Sequence, residues 1–232
     1  MELPVNMFSN KRYKVIEAID KFGVITSLQL EKYLGNVSRT TIFRARQQAI
    51  NLGYVQERSY GGRSLIAITA KGAKFIGHNY KGESLLNDDM YHRVISNEVL
   101  FTFIDDYRSK GVEYLQYDTE RDILRDMQLS LSFNELNKPN RVKNLIKEIP
   151  DIILYINDYK IAIEIELSPK TNYRLEKKLN RYKESLKNDK YSSVVYVCSN
   201  EYIKQSLEKV SNHLNVEINF MMLEDIINSE EV

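Results

Sequence analysis

The sequence predicts a protein of two domains with mixed structure, an α+β domain followed by an α/β domain. Residues 11–69 show three short helical patterns and then a pair of strands, whereas strands alternate with helices after residue 150. Charge divides the chain in the same way. Residues 1–80 contain 12 Lys and Arg against 5 Asp and Glu, and the remainder contains 21 against 27. Because this charge difference favours two domains with different partners, we place them at residues 1–80 and 91–232, joined by a polar linker at 81–90.

Composition argues against several classes of protein. The 232 residues include one cysteine and three histidines, so neither a disulfide framework nor a zinc site is expected. Cys198 lies in the apolar run SSVVYVCS and should be a buried strand thiol. No apolar run approaches the ~20 residues of a membrane-spanning helix, and the first residues lack the basic-then-apolar order of a secretory signal. We therefore expect a cytoplasmic protein with no membrane partner.

Three helical patterns open the chain. They cover residues 11–22, 28–34 and 38–52, and a glycine follows each of them. Ser or Thr residues precede the second and third patterns and can cap those helices. Two short strands follow within residues 54–69, separated by a Gly-Gly turn, and a further helix opens after Thr69.

The third helix has one apolar and one polar face. The apolar face should pack inward and comprises Ile42, Ala45, Ala49 and Leu52. The polar face is a candidate DNA-binding surface and comprises Arg39, Thr40, Phe43, Arg44 and Gln47. Arg and Gln can pair with guanine and adenine edges, while Phe and the Thr methyl group can contact thymine. The hairpin adds candidates for the DNA backbone or minor groove, namely Arg58, Tyr60 and Arg63. Arg46, nearer the inward side, is expected to reach a phosphate.

Three short helices followed by a β-hairpin resemble a winged helix-turn-helix domain. The stretch IAITAKGAKFI, in which a strand runs into a helix through Thr-x-x-Gly, is similar to the end of many bacterial winged-helix domains. The resemblance covers residues 10–80 and implies binding of double-stranded DNA with the third helix in the major groove. The alternative is a small helical domain without a nucleic-acid role, whose polar residues only contact solvent.

The second predicted domain opens with a helix at residues 91–109 and a short strand at 114–117. Residues 119–147 look helical at their start and loose around 134–140, so we interpret them as an insertion. After residue 171 the patterns predict a helix at 172–188, a strand at 193–198, a helix at 200–213 and a strand at 216–221. Strands that alternate with helices imply parallel pairing.

A predicted hairpin at residues 150–171, PDIILYINDYKIAIEIELSPKT, lies at the centre of this domain. A two-residue Asn-Asp turn places Asp151 directly opposite Glu164, and alternation adds Glu166 to the same face. The other face is apolar and comprises Ile161, Ile163 and Ile165. Carboxylates gathered on one face of an apolar sheet repel each other unless a cation or a proton lies between them.

Pro-Asp, a turn and an apolar strand carrying Glu-x-(Lys or acid) resemble the PD-(D/E)XK nuclease-like fold, and the predicted element order resembles its αβββαβ core. The resemblance implies that Asp151 and Glu164 hold Mg²⁺ while a lysine helps to activate water. Glu166 stands where that lysine is expected, and Lys170 or a lysine of the following helix is the substitute. The candidate catalytic residues are therefore Asp151, Glu164, Glu166 and Lys170. The alternative is an edge hairpin whose acids are solvated.

A closer resemblance spans most of the chain. The segments HRVISNEVL, TERDIL and PDIILYI, followed by KIAIEIELSPKTNYRLEKKLNRY, resemble the replication-relaxation proteins of bacterial plasmids and mobile elements. The matching positions are His92, Asn97, Glu120, Asp151, Glu164, Glu166, Lys170 and Tyr182. The resemblance implies a DNA-binding accessory protein of plasmid replication, relaxation or transfer. The acid in place of a lysine favours a nuclease-like domain that does not cut.

Three functions fit these patterns. The first is a DNA-binding accessory protein whose second domain forms a homodimer or docks the replication or transfer machinery. The second is a winged-helix transcriptional repressor with an oligomerisation domain, and the third is a Mg²⁺-dependent DNA endonuclease. All three use the basic first domain, so only the acidic domain separates them.

Overall fold

The computed structural model describes residues 9–78, 83, 85, 89–132, 134, 145 and 147–227. The chain divides into two compact units, Met1–Glu98 and Val99–Val232, each with mixed α and β structure. The boundary falls later in the chain than the predicted linker at 81–90, of which residues 81, 82, 84 and 86–88 lie outside the described part. None of the described helices combines the length and the apolar character needed to cross a membrane.

Three helices of the first unit begin and end close to the predicted positions, and a fourth begins where predicted. They are α1 (Asn10–Phe22), α2 (Ser27–Tyr33), α3 (Arg39–Asn51) and α4 (Ala70–Phe75). Gly23 ends α1 with a φ of 72°, a backbone conformation that glycine adopts without strain. Thr26 and Gln29 form a reciprocal capping box at the start of α2, and the Ser38 hydroxyl accepts a hydrogen bond from Thr41 N at the start of α3.

A three-stranded antiparallel sheet completes this unit. Its strands are β1 (Val24–Thr26), β2 (Val55–Tyr60) and β3 (Arg63–Ile68), in the order β1-β3-β2. The β2–β3 turn is Gly61-Gly62, with φ angles of 56° and 79°, as two-residue hairpin turns require. The strand β1 is absent from the sequence-based prediction, because three residues are too few to show an alternating pattern.

The start of α4 requires a glycine. Thr69 caps this helix by accepting a hydrogen bond from Gly72 N, and its hydroxyl donates to the carbonyl oxygens of Gly53 and Tyr54. This bonding draws the helix against the chain at Tyr54, so that a Cβ atom on Gly72 would lie 2.0 Å from Tyr54 O. The Thr-x-x-Gly pattern therefore marks a close approach of two backbone segments.

The long helix α5 (Asp89–Ser109) begins in the first unit. The Gln29 side chain donates to Val94 O and to the buried Glu98 carboxylate, both at 2.9 Å. Asn97 Nδ2 donates to Val24 O at 2.9 Å. An apolar cluster reinforces these contacts and comprises Val24, Leu65, Ala67, Leu85, Met90 and Val94. These contacts explain why the first compact unit extends to Glu98.

The second unit contains a five-stranded mixed sheet. Its strands are β4 (Leu115–Thr119), β5 (Ile152–Ile156), β6 (Tyr159–Glu166), β7 (Ser193–Cys198) and β8 (Asn219–Met222). They follow the order β4-β5-β6-β7-β8, with antiparallel pairing from β4 to β6 and parallel pairing from β6 to β8. The strand β8 begins later than predicted, because Val216 N still donates to Ser211 O of the preceding helix.

Helices follow these strands in the predicted order, and the short helix after β8 is additional to the prediction. They are α6 (Glu120–Leu129), α7 (Asn172–Lys187), α8 (Glu201–Leu214) and the short α9 (Leu223–Ile226). Helices α7 and α8 pack on one face of the sheet in a shared apolar core, which includes Leu175, Leu179, Val194, Ile203 and Leu207. The helical start of the predicted insertion is α6, whereas most of its loose part around residues 134–140 lies outside the described residues.

Candidate functional site

The polar face of α3 is exposed, as the helical periodicity predicts. Ile42, Ala45 and Ala49 are buried on the inward side of the helix. On the outward side Phe43 is 55% exposed, although large apolar side chains are usually covered. The other exposed residues of this face are Arg39, Thr40 and Arg44, while Gln47 is half-buried. The side chains predicted to read DNA bases are thus brought together on one accessible surface.

An open groove of about 450 Å³ lies along this face. Its lining comprises Arg12, Phe43, Arg44, Gln47, Gln48, Asn51 and Leu52. Arg12 donates a hydrogen bond to Gln48 Oε1 at 3.0 Å, which fixes the α1 side of the groove. Arg44 makes no ion pair with any described residue, so its guanidinium is available to a ligand.

Two of the candidate residues have defined partners within the first unit. Arg39 forms an ion pair with Glu31 at 2.8 Å, but its side chain stays 85% exposed. Arg58 donates to Leu85 O at 2.9 Å, and Arg63 is half-buried. Tyr60, at the end of β2, is 51% exposed. The hairpin therefore presents Tyr60 more freely than its two arginines.

Arg46 is not available for the phosphate contact expected from the sequence. Its guanidinium lies 2.5 Å from Ser27 Oγ and 3.4 Å from Glu57 Oε1, and its side chain is only 13% exposed. The helical periodicity placed it near the inward side, where α2 and β2 supply these partners. Arg46 therefore ties α3 to its neighbours.

The second cluster of candidate residues lies on the central hairpin, whose register is the predicted one. Ile156 pairs with Tyr159 across a turn in which Asn157 has a φ of 51°. The same register, extended by one residue, places Asp151 opposite Glu164. Asp151 accepts a hydrogen bond from Ile165 N at 2.7 Å, so its carboxylate is fixed against β6.

Glu164 is the most buried of the three acids, with 1% of its surface exposed. Lys178 Nζ of α7 donates to Glu164 Oε2 at 2.6 Å, and the Tyr182 hydroxyl donates to Oε1. Burial raises the pKa of Glu164 to about 7, and the charge of Asp151 adds to this rise while Lys178 opposes it. Burial lowers the pKa of Lys178, but the carboxylates of Glu164 and Asp151 outweigh it and leave that pKa raised.

Glu166 has a different lysine as its partner. Lys170 Nζ lies 2.6 Å from Glu166 Oε1 and 2.8 Å from Oε2. The chain turns after β6, so that Lys170 reaches back to the sheet as the sequence-based hypothesis required. Glu166 itself is 2% exposed, whereas the Lys170 side chain is 34% exposed.

We call Asp151, Glu164 and Glu166, with their partners Lys170, Lys178 and Tyr182, the acidic cluster. The hydroxyl of Tyr196 also belongs to it. Tyr196 pairs with Glu164 in the parallel ladder between β6 and β7, so both side chains share one face of the sheet. Its hydroxyl is buried and has no hydrogen-bond partner among the described residues. Burial raises the pKa of Tyr196 well above its ordinary value, and the charges of Glu164, Glu166 and Asp151 raise it further.

These contacts do not fit the Mg²⁺ site expected from the sequence. Each oxygen of Glu164 already accepts a hydrogen bond, and the carboxylate of Glu166 is paired with Lys170. A divalent cation would therefore have to displace ammonium groups that neutralise the same charges. Within the described part of the chain, no three His, Cys, Asp or Glu side chains are grouped as a metal site.

No protein-family model matches this sequence, and no curated protein matches it. The assignment of roles therefore depends on the geometry of the chain itself. Two positions that carry the replication-relaxation resemblance have clear places in that geometry. Tyr182 belongs to the acidic cluster, and Asn97 fixes α5 within the first unit.

Two members of the acidic cluster were missed as site residues, Lys178 and Tyr196. The sequence-based hypothesis allowed a lysine of the following helix beside the acids, but it did not identify Lys178. The position of Lys178 in the helix did indicate that it faces the sheet. It lies three residues after Leu175 and four before Tyr182, and both of those are on the buried face. Tyr196 could have been found only from the register of the parallel strands, which the sequence does not specify.

Proposed function

We propose that this protein is a DNA-binding accessory protein of a plasmid or mobile element, acting in replication, relaxation or transfer. Its first unit would bind double-stranded DNA as a winged helix-turn-helix domain. Its second unit would have a PD-(D/E)XK-like fold that has lost cleavage, and it would dimerise or dock the replication or transfer machinery.

The single observation that carries this proposal is the exposed face of α3. It combines Arg44, whose guanidinium has no ion-pair partner among the described residues, with the exposed ring of Phe43. Arg pairs bidentately with guanine, and an aromatic ring can contact the thymine methyl group, so the two side chains can read different bases. The helix is narrow enough for the major groove, and the adjoining hairpin presents Tyr60 beside it.

The buried ion pairs of the second unit support a non-catalytic role for it. Metal-assisted phosphodiester cleavage requires carboxylates that hold a cation and a group that activates water. Here Lys178 pairs with Glu164 and Lys170 pairs with Glu166, so both acids are engaged within the unit rather than open to a cation. A transcriptional repressor with an oligomerisation domain would use the same two units, and only its target DNA would differ.

The test is duplex binding by the full-length chain, on a duplex selected from a random pool. We expect Arg44→Ala or Gln47→Ala to lower the free energy of binding by about 1–3 kcal/mol on that duplex and to relax preference at one base pair. Lys14→Ala is the matched control, because it removes one positive charge from an exposed position on α1. Binding should also weaken steeply as salt rises.

Two results would contradict the proposal. One is duplex binding that Arg44→Ala and Lys14→Ala weaken equally, since α3 would then contribute only charge. The other is nicking of supercoiled plasmid in Mg²⁺ or Mn²⁺ by the wild type but not by Asp151→Ala. That result would establish a DNA endonuclease in place of an accessory protein.

A further inference from the structure

The helix α7 is basic, although the second unit as a whole is acidic. Residues 170–187 contain seven Lys and Arg against two Asp and Glu. Two of these cations are used internally, because Lys170 and Lys178 pair with the buried acids of β6. Lys183 donates to Leu214 O at 2.7 Å. The remaining cations are the ones available to a ligand.

Three of the four remaining cations share one side of the helix with an aromatic ring. At about 100° per residue, Tyr173, Arg174, Lys177 and Arg181 fall within an arc of about 100° around α7. We call this side of the helix the α7 face; Glu184, one turn beyond Arg181, is an acid on the same side. Leu175 and Leu179 lie on the opposite, buried side of the helix.

The α7 face is accessible, and its three cations outnumber its one acid. Arg174 and Lys177 are exposed, Arg181 is half-buried, and none of the three forms an ion pair with a described residue. Tyr173 is 73% exposed, the second-largest exposed fraction among the large apolar side chains of the described chain. An exposed aromatic ring with basic side chains along the same side of its helix is a combination that a single-stranded nucleic acid can use.

We propose that the α7 face binds single-stranded nucleic acid. Its cations would contact successive phosphates, and the ring of Tyr173 would stack on an unpaired base. Proteins that bind single strands combine these two elements, a basic track and aromatic rings that accept any base. A duplex could use the cations but not the ring, because its base faces are already stacked.

This inference is independent of the α3 surface. The α3 face would bind a duplex through base edges, whereas the α7 face would bind an unpaired strand through phosphates and stacking. One chain would then bind a duplex through its first unit and a single strand through its second unit. The two sites can fail separately, and the experiment is chosen to show which of them does.

The test is fluorescence anisotropy of the full-length chain with a labelled oligothymidylate of about 20 nucleotides, longer than the ~4–16 nucleotides that a compact single-strand site covers. We expect Tyr173→Ala to lower the affinity by about fivefold or more, the loss of one stacked base. We expect Arg174→Ala/Lys177→Ala to reduce the slope of log affinity against log salt by about 1.4, since each phosphate contact on a single strand contributes about 0.7.

Matched variants exclude a general effect of surface or charge. Tyr202→Ala removes a ring that is 68% exposed on α8, and Lys147→Ala/Lys209→Ala removes two exposed positive charges outside α7. Both should leave binding of the oligothymidylate unchanged. Arg44→Ala should also leave it unchanged while weakening duplex binding.

Three outcomes would overturn the inference. The first is equal loss of affinity in Tyr173→Ala and Tyr202→Ala. The second is an unchanged salt slope in Arg174→Ala/Lys177→Ala. The third is loss of duplex affinity but not of oligothymidylate affinity in the α7 variants, which would make the α7 face a second duplex contact.

Discussion

The two units hold their distinctive polar residues in opposite ways. On α3 of the first unit, Phe43 is 55% exposed and Arg44 has no ion-pair partner within the described chain. On the central hairpin of the second unit, Glu164 is 1% exposed and both of its oxygens accept hydrogen bonds. One set of residues is open to a ligand, and the other is satisfied within the fold.

This difference separates binding from stability. An exposed side chain without partners contributes little to the free energy of unfolding, so changing it should affect ligand binding alone. A buried charge is costly unless it keeps its partner, so changing either member of the Glu164–Lys178 pair should affect folding first. The comparison therefore predicts that substitutions of α3 and of the hairpin will have different measurable effects.

The largest effect is expected from Lys178→Ala. Removal of the ammonium leaves the buried Glu164 carboxylate without its cation, and breaking such a pair costs about 3–5 kcal/mol of unfolding free energy. Urea unfolding followed by circular dichroism would measure this loss. The neighbouring Lys177→Ala is the control, because an exposed substitution should change stability by no more than about 0.5 kcal/mol.

A second variant tests the cause of that loss. Glu164→Leu/Lys178→Met removes both charges and keeps apolar volume, and it should recover most of the lost stability, as replacement of buried ion pairs often does. If the double variant is as unstable as Lys178→Ala, the lysine stabilises the unit through packing. The contrast between the two units would then concern volume rather than charge.

The next largest effect is a dependence on pH. The pKa of Glu164 rises from 4.5 to about 7 on folding, so the folded chain binds a proton that the unfolded chain releases. The stability contributed by this proton is fully present below pH 4.5 and is lost as pH rises through 7. The expected loss is ~3 kcal/mol, since one pKa unit corresponds to about 1.4 kcal/mol.

Glu164→Gln isolates this contribution, because an amide does not ionise. Urea unfolding at a series of pH values between 4.5 and 8 should show a steeper fall in stability for the wild type than for the variant. The slopes of unfolding free energy against pH are compared rather than the free energies themselves. The variant also loses its ion pair with Lys178, which changes its stability at every pH. Parallel slopes would mean that Lys178 keeps Glu164 ionised in the folded chain at every pH tested.

The sequence predicted the hairpin well, because local rules determine it. A two-residue turn fixes the pairing of Ile156 with Tyr159, and that pairing fixes the position of Asp151 opposite Glu164. The same holds for α3, whose periodicity alone separates buried Ile42 from exposed Phe43. In both cases the signal lies within a few consecutive residues.

What the sequence did not predict depends on contacts between distant residues. Lys178 looks like a surface lysine, but it is half-buried and pairs with Glu164 of β6. The extent of the first unit depends on Gln29, whose amide reaches Glu98. The polar stretch before α5 reads as a linker, so the sequence does not indicate that the first residues of α5 belong to the first unit.

The smallest effect on stability, and the sharpest test of the comparison, is expected from Phe43→Ala. The ring is 55% exposed, and Arg46 lies 5.8 Å from its centroid, so the free energy of unfolding should change by no more than about 0.5 kcal/mol. Affinity for the selected duplex should fall by about 1 kcal/mol if the ring contacts a thymine methyl group. Uracil lacks that methyl group, so a duplex with uracil at the contacted position should bind the wild type and Phe43→Ala equally. A variant that unfolds more easily but binds the duplex normally would place Phe43 with the residues that maintain the fold. The contrast between an open α3 face and a satisfied central hairpin would then not hold.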